Sequence, residues 1–362
     1  MSMDRIVVTG GGSAGHVLPT IPLIEKFIEK GIAVHYVGSH VGIERELISP
    51  LNIEYRAIRA GKLRRYFSYR NLIDIFGIPV SVLQAYLFLR EYSPNVVFSK
   101  GGYVAFPVVV AAWILRIPVV AHESDLTPGL ANRLCLKFLE TLCVNFPETK
   151  AQAKRKVVTG IPLRRELVEG DRTRGRDYLG LANVGRPLLL VFGGSLGAHN
   201  LNLSLRASLP LLLPIVDVVH ICGRGKADPT MNDQEGYVQK EFVSKEWGDV
   251  LAAADVVVSR AGANTIYELI ALGIPHLLVP LPLAVSRGDQ LENAALMQHK
   301  GLSMVRQEEA LTPSEFFKCV QELLKGKVIN RDPLGEFSIS NSTSKIFGEL
   351  VRASRKYKKD LH

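Results

Sequence analysis

Two stretches of the chain share one layout. Short, continuously apolar segments alternate with segments of helical periodicity, and each stretch opens on a segment that runs into a glycine-rich loop. The first series comprises residues 6–9, 34–37, 96–99, 119–121 and 142–145; the second comprises 188–192, 218–222, 256–259 and 276–279. Strands that are apolar on both faces and separated by helices belong in parallel sheets covered on both sides. Two such series in 362 residues predict an α/β protein of two doubly wound domains. The division is expected near Gly160-Ile161-Pro162, giving domains 1–162 and 163–337. A C-terminal helix at about 338–358 is expected to pack back on the first.

Composition narrows the partners. Apolar residues make up 47% and charged residues 22%, which excludes a disordered chain. The net charge of +9 favours anionic partners. No stacking-aromatic motif or recognition helix accompanies it, and aromatics are 7%, so nucleic acid is not expected. Asp4 and Arg5 lead straight into a strand, which argues against a signal peptide. The apolar stretches 75–89 and 103–115 fall short of the roughly 20 residues a spanning helix needs, so no transmembrane helix is expected. Cys135, Cys143, Cys222 and Cys319 form no C-x-x-C pair and are read as reduced, structural thiols.

The opening loop, Gly10-Gly11-Gly12-Ser13-Ala14-Gly15-His16, satisfies G-x-G-x-x-G between a strand and a helix. Glycines let a backbone approach an anion, and a helix N-terminus offers N–H groups. A nicotinamide site also needs an acidic residue at the end of the second strand. Here that strand ends Val37-Gly38-Ser39-His40, with no carboxylate. The loop therefore reads as a site for a diphosphate or sugar phosphate. Gly101-Gly102 and Gly193-Gly194-Ser195-x-Gly197 are further loops of the same kind, although tight strand–helix packing also accounts for Gly101-Gly102.

Seven motifs occur in order: TGGGSAGHVLP, KGGYVAFP, HESDLTPGLANR, GIPLR, FGGSLGA, SRAGANTIYELIALGIPHLLVPLP and DQLENA. With them the chain resembles the MurG family, bacterial N-acetylglucosaminyltransferases of peptidoglycan synthesis. The resemblance runs from residue 5 to beyond residue 300. It implies a GT-B architecture: two Rossmann-like domains with an interdomain cleft. It implies UDP-N-acetylglucosamine (UDP-GlcNAc) as donor and lipid I, undecaprenyl-diphosphate-MurNAc-pentapeptide, as acceptor. GlcNAc passes to the MurNAc 4-hydroxyl with inversion, giving lipid II and UDP. It also implies a peripheral place on the cytoplasmic side of the cell membrane, with other cell-wall synthesis proteins as possible partners. Rival readings are another GT-B lipid glycosyltransferase, a UDP-GlcNAc epimerase and a non-catalytic nucleotide-sugar scaffold.

By this resemblance His16 is the first candidate base, with diphosphate binding or helix capping as its alternative. An imidazole titrating near about 6.5 suits proton abstraction at neutral pH. Glu123 and Asp125 are further catalytic candidates; Asp125 stands where many relatives have Asn. Donor contacts are implied for Ser13, Ala14, Gly15, Asp125, Arg164, Ser195, Val243, Ala263, Asn264, Thr265, Ile266, Tyr267, Asp289 and Gln290, with Glu268 on the ribose hydroxyls. Acceptor-diphosphate contacts are implied for Gly12, Gly15, Gly101, Gly102 and Tyr103. Without an Asp-x-Asp motif, no metal ligand set and no required cofactor are expected, a divalent cation such as Mg2+ being at most a stimulant. A membrane patch is expected from Lys62, Arg64, Arg65, Phe67, Ile75, Phe76, Leu83 and Trp113, where a basic cluster precedes an apolar segment; a core helix with a solvated basic loop is the alternative.

Overall fold

A computed structural model describes residues 3–61, 69–181, 185–194, 198–326 and 342–360. They form two units. The N-terminal unit runs to Arg164 and includes the C-terminal helix; the other begins at Arg165.

Among the described residues, each unit carries one parallel sheet. The first contains β1 (Arg5–Thr9), β2 (Ala33–Ser39), β3 (Glu54–Ile58), β4 (Val96–Ser99), β5 (Val119–Glu123), β6 (Thr141–Val144) and β7 (Lys156–Val158), in the order 3-2-1-4-5-6-7. The second contains β8 (Leu188–Phe192), β9 (Asp217–Ile221), β10 (Tyr237–Lys240), β11 (Val256–Ser259), β12 (His276–Leu278) and β13 (Met304–Val305), in the order 10-9-8-11-12-13. Strand order therefore reverses between β1 and β4, and again between β8 and β11. At such a switch point the loops leaving the carboxyl ends diverge and open a crevice for ligands. Every glycine loop singled out above leaves one of these four strands.

All nine apolar segments are strands, and their side chains fill the cores. Val7, Val97, Val119 and Leu142 pack on one face of the first sheet, and Ile6, Val8, Val96 and Val120 on the other. The four strands not anticipated, β3, β7, β10 and β13, are the sheet edges. Edge strands bury less and so carry fewer apolar residues: β3 alternates exposed and half-buried positions before Ile58.

The C-terminal helix Ser342–Asp360 places Ile346, Leu350 and Ala353 in the same core as Ile6 and Phe27. Those positions lie on one helical stripe. Glu349 fixes its register by accepting from Arg155 at 2.8 Å and from Arg352 at 2.9 Å. Hydrogen bonding by Arg155 holds the Glu349 carboxyl at about 2, below its ordinary value. The stabilisation is therefore complete above the ordinary carboxylate range and is lost as pH falls towards about 2. The Tm difference between wild type and Glu349→Gln is expected to be full at about pH 7 and to vanish near pH 2. A pH-independent difference would contradict this assignment.

The helix Tyr69–Tyr92 packs on Ala105–Ile114. Ala85 and Leu89 are buried, whereas Leu83 is 57% exposed and Leu87 56%. No helix among the described residues is long and apolar enough to cross a membrane. All four cysteines are buried free thiols.

Candidate functional site

In the N-terminal unit the loops after β1, β4 and β5 converge, because those strands are neighbours. Gly11 N–H donates to the Gly101 carbonyl at 3.3 Å. Gly102 has φ +85°, and a Cβ there would lie 2.0 Å from the Gly11 carbonyl oxygen, so only glycine allows this approach. Gly12, φ +89°, lies under the Tyr103 ring, where a Cβ would sit 2.8 Å from Cε1. Tyr103 thus spends its ring on the loop. Its hydroxyl donates to Ser39 Oγ at 3.2 Å, and the side chain as a whole is half-buried.

Beneath the first loop lies Glu44, fully buried. Its Oε1 accepts from Ser39 N at 2.9 Å and from Ser39 Oγ at 2.5 Å. Three glycines make room for it: a Cβ on Gly11, Gly38 or Gly42 would come within 2.9, 2.8 or 2.0 Å of its side chain. Gly38 and Ser39 are the residues where a dinucleotide fold would carry its ribose ligand. Here they serve the buried glutamate instead.

The turn into the first helix differs from expectation. Two 3-10 turns, Ala14–His16 and Leu18–Thr20, come before the helix Ile21–Glu29. Pro19 and Pro22 lack the N–H groups that a continuous α-helical ladder requires. The loop therefore presents its own exposed backbone at Gly12, Ser13 and Gly15 rather than a helix N-terminus, with Ala14 and His16 half-buried.

Glu123 is also corrected. Its Oε1 accepts from Asp125 N at 3.0 Å, and its Oε2 accepts from Gly129 N at 3.1 Å and Asn132 Nδ2 at 2.9 Å. Buried with three donors, it shapes the loop and is not placed as a base. His122 is buried too, with Nε2 2.8 Å from the Gly160 carbonyl. Burial first, and then Lys100, hold its imidazole well below the usual range. Asp125 is half-buried and remains the accessible carboxylate of the motif. Arg164 ends the unit, half-buried. Lys100, Ser124, Asn132 and Glu44 were not singled out from sequence; the Lys before Gly-Gly and the Asn in GLANR were the available signals.

In the C-terminal unit, β8 runs into Gly193 and Gly194, the latter at φ +94°. Ser195 lies outside the described residues. From β11 the chain passes through Arg260 into the helix Ala263–Ala271, whose N-cap, Gly262, makes no side-chain bond. Arg260 is buried, pairs with Glu308 and donates to the Val279 carbonyl at 3.1 Å. Along the helix, Asn264, Thr265 and Glu268 are half-buried and share a face. Ala263, Ile266 and Tyr267 point into the core, which removes the Ile266 and Tyr267 side chains as ligand contacts. Val243 packs in the core, so only its backbone is offered. Gln290 Oε1 accepts from Leu281 N at 3.1 Å, leaving its amide nitrogen for other partners. Asp289 begins the helix Asp289–His299 and pairs with Arg287 at 3.5 Å. Among the described residues no cluster of metal ligands occurs.

Of the expected membrane patch, Leu83 and Trp113 are exposed. Leu87 and Ile114 add to them. Ile75 and Phe76 lie on the helix Tyr69–Tyr92, with side chains outside the described set. Lys62, Arg64, Arg65 and Phe67 lie outside the described residues.

Two parallel sheets with glycine loops at both switch points define a two-domain, doubly wound α/β protein with a phosphate-type loop in each unit. Residues 6–144 match the glycosyltransferase family 28 N-terminal domain, and residues 188–332 match the family 28 C-terminal domain. The chain is 47% identical over 344 residues to the UDP-N-acetylglucosamine–N-acetylmuramyl-(pentapeptide) pyrophosphoryl-undecaprenol N-acetylglucosamine transferase of Legionella pneumophila (strain Paris), covering 94% of each. It is 46% identical to the protein of the same name from Clostridium kluyveri, covering 97% of this chain and 99% of the relative. The crystal structure of Acinetobacter baumannii MurG superposes with a TM-score of 0.71 at 25% identity, covering 96% of this chain and 99% of that one. The chain belongs to the MurG family.

Proposed function

We propose that this protein transfers GlcNAc from UDP-GlcNAc to the MurNAc 4-hydroxyl of undecaprenyl-diphosphate-MurNAc-pentapeptide, with inversion. The observation that carries the reading is near-full-length identity of 47% to a transferase of that name. The converged loops after β1, β4 and β5 support it.

The acceptor oxygen attacks the anomeric carbon as the bond from that carbon to the diphosphate oxygen breaks. UDP leaves with the electron pair, and the hydroxyl proton passes to His16 or Asp125. Backbone donors around Gly12 and Gly101-Gly102 suit the acceptor diphosphate. In the C-terminal unit Glu268 accepts the ribose hydroxyls, and Asn264 and Thr265 complete that face. A lipid-borne acceptor also accounts for the exposed Leu83, Leu87, Trp113 and Ile114, which support a peripheral place on the cytoplasmic face of an anionic membrane.

The test is purified protein with labelled UDP-GlcNAc and a lipid I analogue, with Mg2+ and with EDTA. Acceptor-dependent formation of a β-1,4 disaccharide lipid is expected. UDP binding without transfer would redirect the reading to another lipid acceptor or a binding scaffold. Gly102→Ala is expected to lower kcat/KM for the acceptor by roughly 10²-fold, because the added Cβ displaces Gly11, while UDP affinity measured by calorimetry is unchanged. Normal acceptor kinetics in that variant would remove the loops from the acceptor site.

A further inference from the structure

Lys100 closes β4, its N–H donating to the Thr9 carbonyl at 2.8 Å. It is 2% exposed. Among the described residues its ammonium makes one hydrogen bond, from Nζ to Ser124 Oγ at 2.7 Å. An ammonium has three donors, and burying it with one partner is costly. A buried cation of this kind stabilises a fold less than an apolar side chain of the same volume. Its presence needs a reason other than packing.

Three contacts supply one. The Lys100 stem lies against the first glycine loop, with Cβ 3.1 Å from where a Cβ on Gly10 would stand; the His16 carbonyl oxygen is the other close neighbour of that point, at 2.5 Å. Lys100 then continues directly into Gly101-Gly102. Its head reaches the third loop at Ser124, between Glu123 and Asp125. Burial pushes the ammonium down, and the charges of Glu123 and Asp125 push it back up. His122 is the other titratable group that faces it. Glu123 is already held by three N–H donors, whereas Asp125 is the half-buried charge beside them.

We propose that Lys100 is a positioning residue for the transfer reaction: its buried ammonium ties the Ser124-Asp125 turn to both glycine loops and supplies the positive charge that keeps the base of this site anionic or neutral, ready to accept a proton. The proposal rests on the N-terminal unit carrying the acceptor site and the base. It assigns Lys100 no contact with substrate.

The test compares Lys100→Met, Lys100→Arg and Ser124→Ala with wild type, reading kcat, both KM values and the pH dependence of kcat/KM. Lys100→Met is expected to lower kcat by roughly 10²-fold with the KM for UDP-GlcNAc nearly unchanged. Loss of a nearby cation favours the protonated base, so the acid limb of its profile should move up by about one pH unit. Lys100→Arg should restore the limb, and part of kcat. Ser124→Ala keeps the charge and loses the tether, so it should lower kcat by less and leave the limb in place. A Lys100→Met enzyme that loses kcat with an unmoved limb would make the lysine merely structural and overturn the proposal, as would wild-type kinetics. Should Lys100→Met fail to fold, wild-type kcat in both Lys100→Arg and Ser124→Ala would overturn it equally. A wild-type protein without transferase activity would instead sink the functional reading on which this one rests.

Discussion

His16→Ala is expected to lower kcat by roughly 10²- to 10⁴-fold, the range that a positioned general base contributes. UDP affinity should stay within a few-fold, because Asn264, Thr265 and Glu268, the side chains assigned to the ribose face, lie in the other unit. His16 ends the 3-10 turn Ala14–His16, directly after the loop whose backbone is exposed at Gly12, Ser13 and Gly15. Its imidazole is therefore carried by the same short segment that would seat the acceptor. Asp125→Asn is the companion variant. It converts the carboxylate to an amide, keeping the shape and one acceptor oxygen and removing the basicity. Loss of turnover in His16→Ala with Asp125→Asn active makes the imidazole the base. The reverse pattern makes it the carboxylate, with His16 a diphosphate ligand. Retained turnover in both would move the proton to a group outside these loops.

Much of this organisation is legible in the sequence because buried parallel strands advertise themselves. Runs such as Leu188–Phe192 are apolar at every position, since both sheet faces are covered. The edge strands β7 and β13 stay hidden because one side of each lacks a partner strand and few of their positions are buried. Neither Lys156-Val157-Val158 nor Met304-Val305 is long enough to show a period. The first helix begins later than a loop running straight into a helix would have it, because the 3-10 turns Ala14–His16 and Leu18–Thr20 come first, and Pro22 sits in its first turn, where a missing N–H breaks no bond.

Site residues are legible in kind more than in role. Glycine spacing points to the loops after β1, β4 and β8 because positive φ and close backbone approach exclude other residues. It does not reveal that Gly11 and Gly42 are small for the sake of Glu44, or that a Cβ on Gly38 would meet the Tyr55 hydroxyl at 2.1 Å before it met Glu44 at 2.8 Å; both are tertiary facts. Glu123 and Asp125 look equivalent as letters. Only the fold separates them, saturating one carboxylate with N–H donors and leaving the other half-exposed. Likewise Ile266 and Tyr267 share a motif with Glu268, but helical geometry turns them to the core.

The largest stability loss is expected at Asp217, far from any glycine loop. This residue starts β9 and is 4% exposed. Arg176 Nη2 donates to its Oδ2 at 3.1 Å, and Arg186 Nε lies 3.1 Å from its Oδ1. Arg176 comes from the helix Arg172–Leu179 and is itself 2% exposed, so one carboxylate staples that helix to the sheet. Asp217→Asn keeps the volume and deletes the charge, stranding a buried guanidinium; breaking such a pair costs about 3–5 kcal/mol. The Arg172–Asp255 pair, 2.9 Å apart but half-exposed, is the internal control. Arg172→Ala should cost about 0–1 kcal/mol. The two tryptophans make the measurement specific to one unit: Trp247 packs edge-on to Phe192 in the second sheet's core, whereas Trp113 lies in the N-terminal unit. In a Trp113→Phe background, urea unfolding followed by Trp247 fluorescence reports the C-terminal unit alone. A midpoint for Asp217→Asn no lower than that of Arg172→Ala would mean that the carbonyls around Arg186 and Arg176 neutralise the site without the carboxylate. The helix would then be held by its packing against Trp247–Ala253 instead.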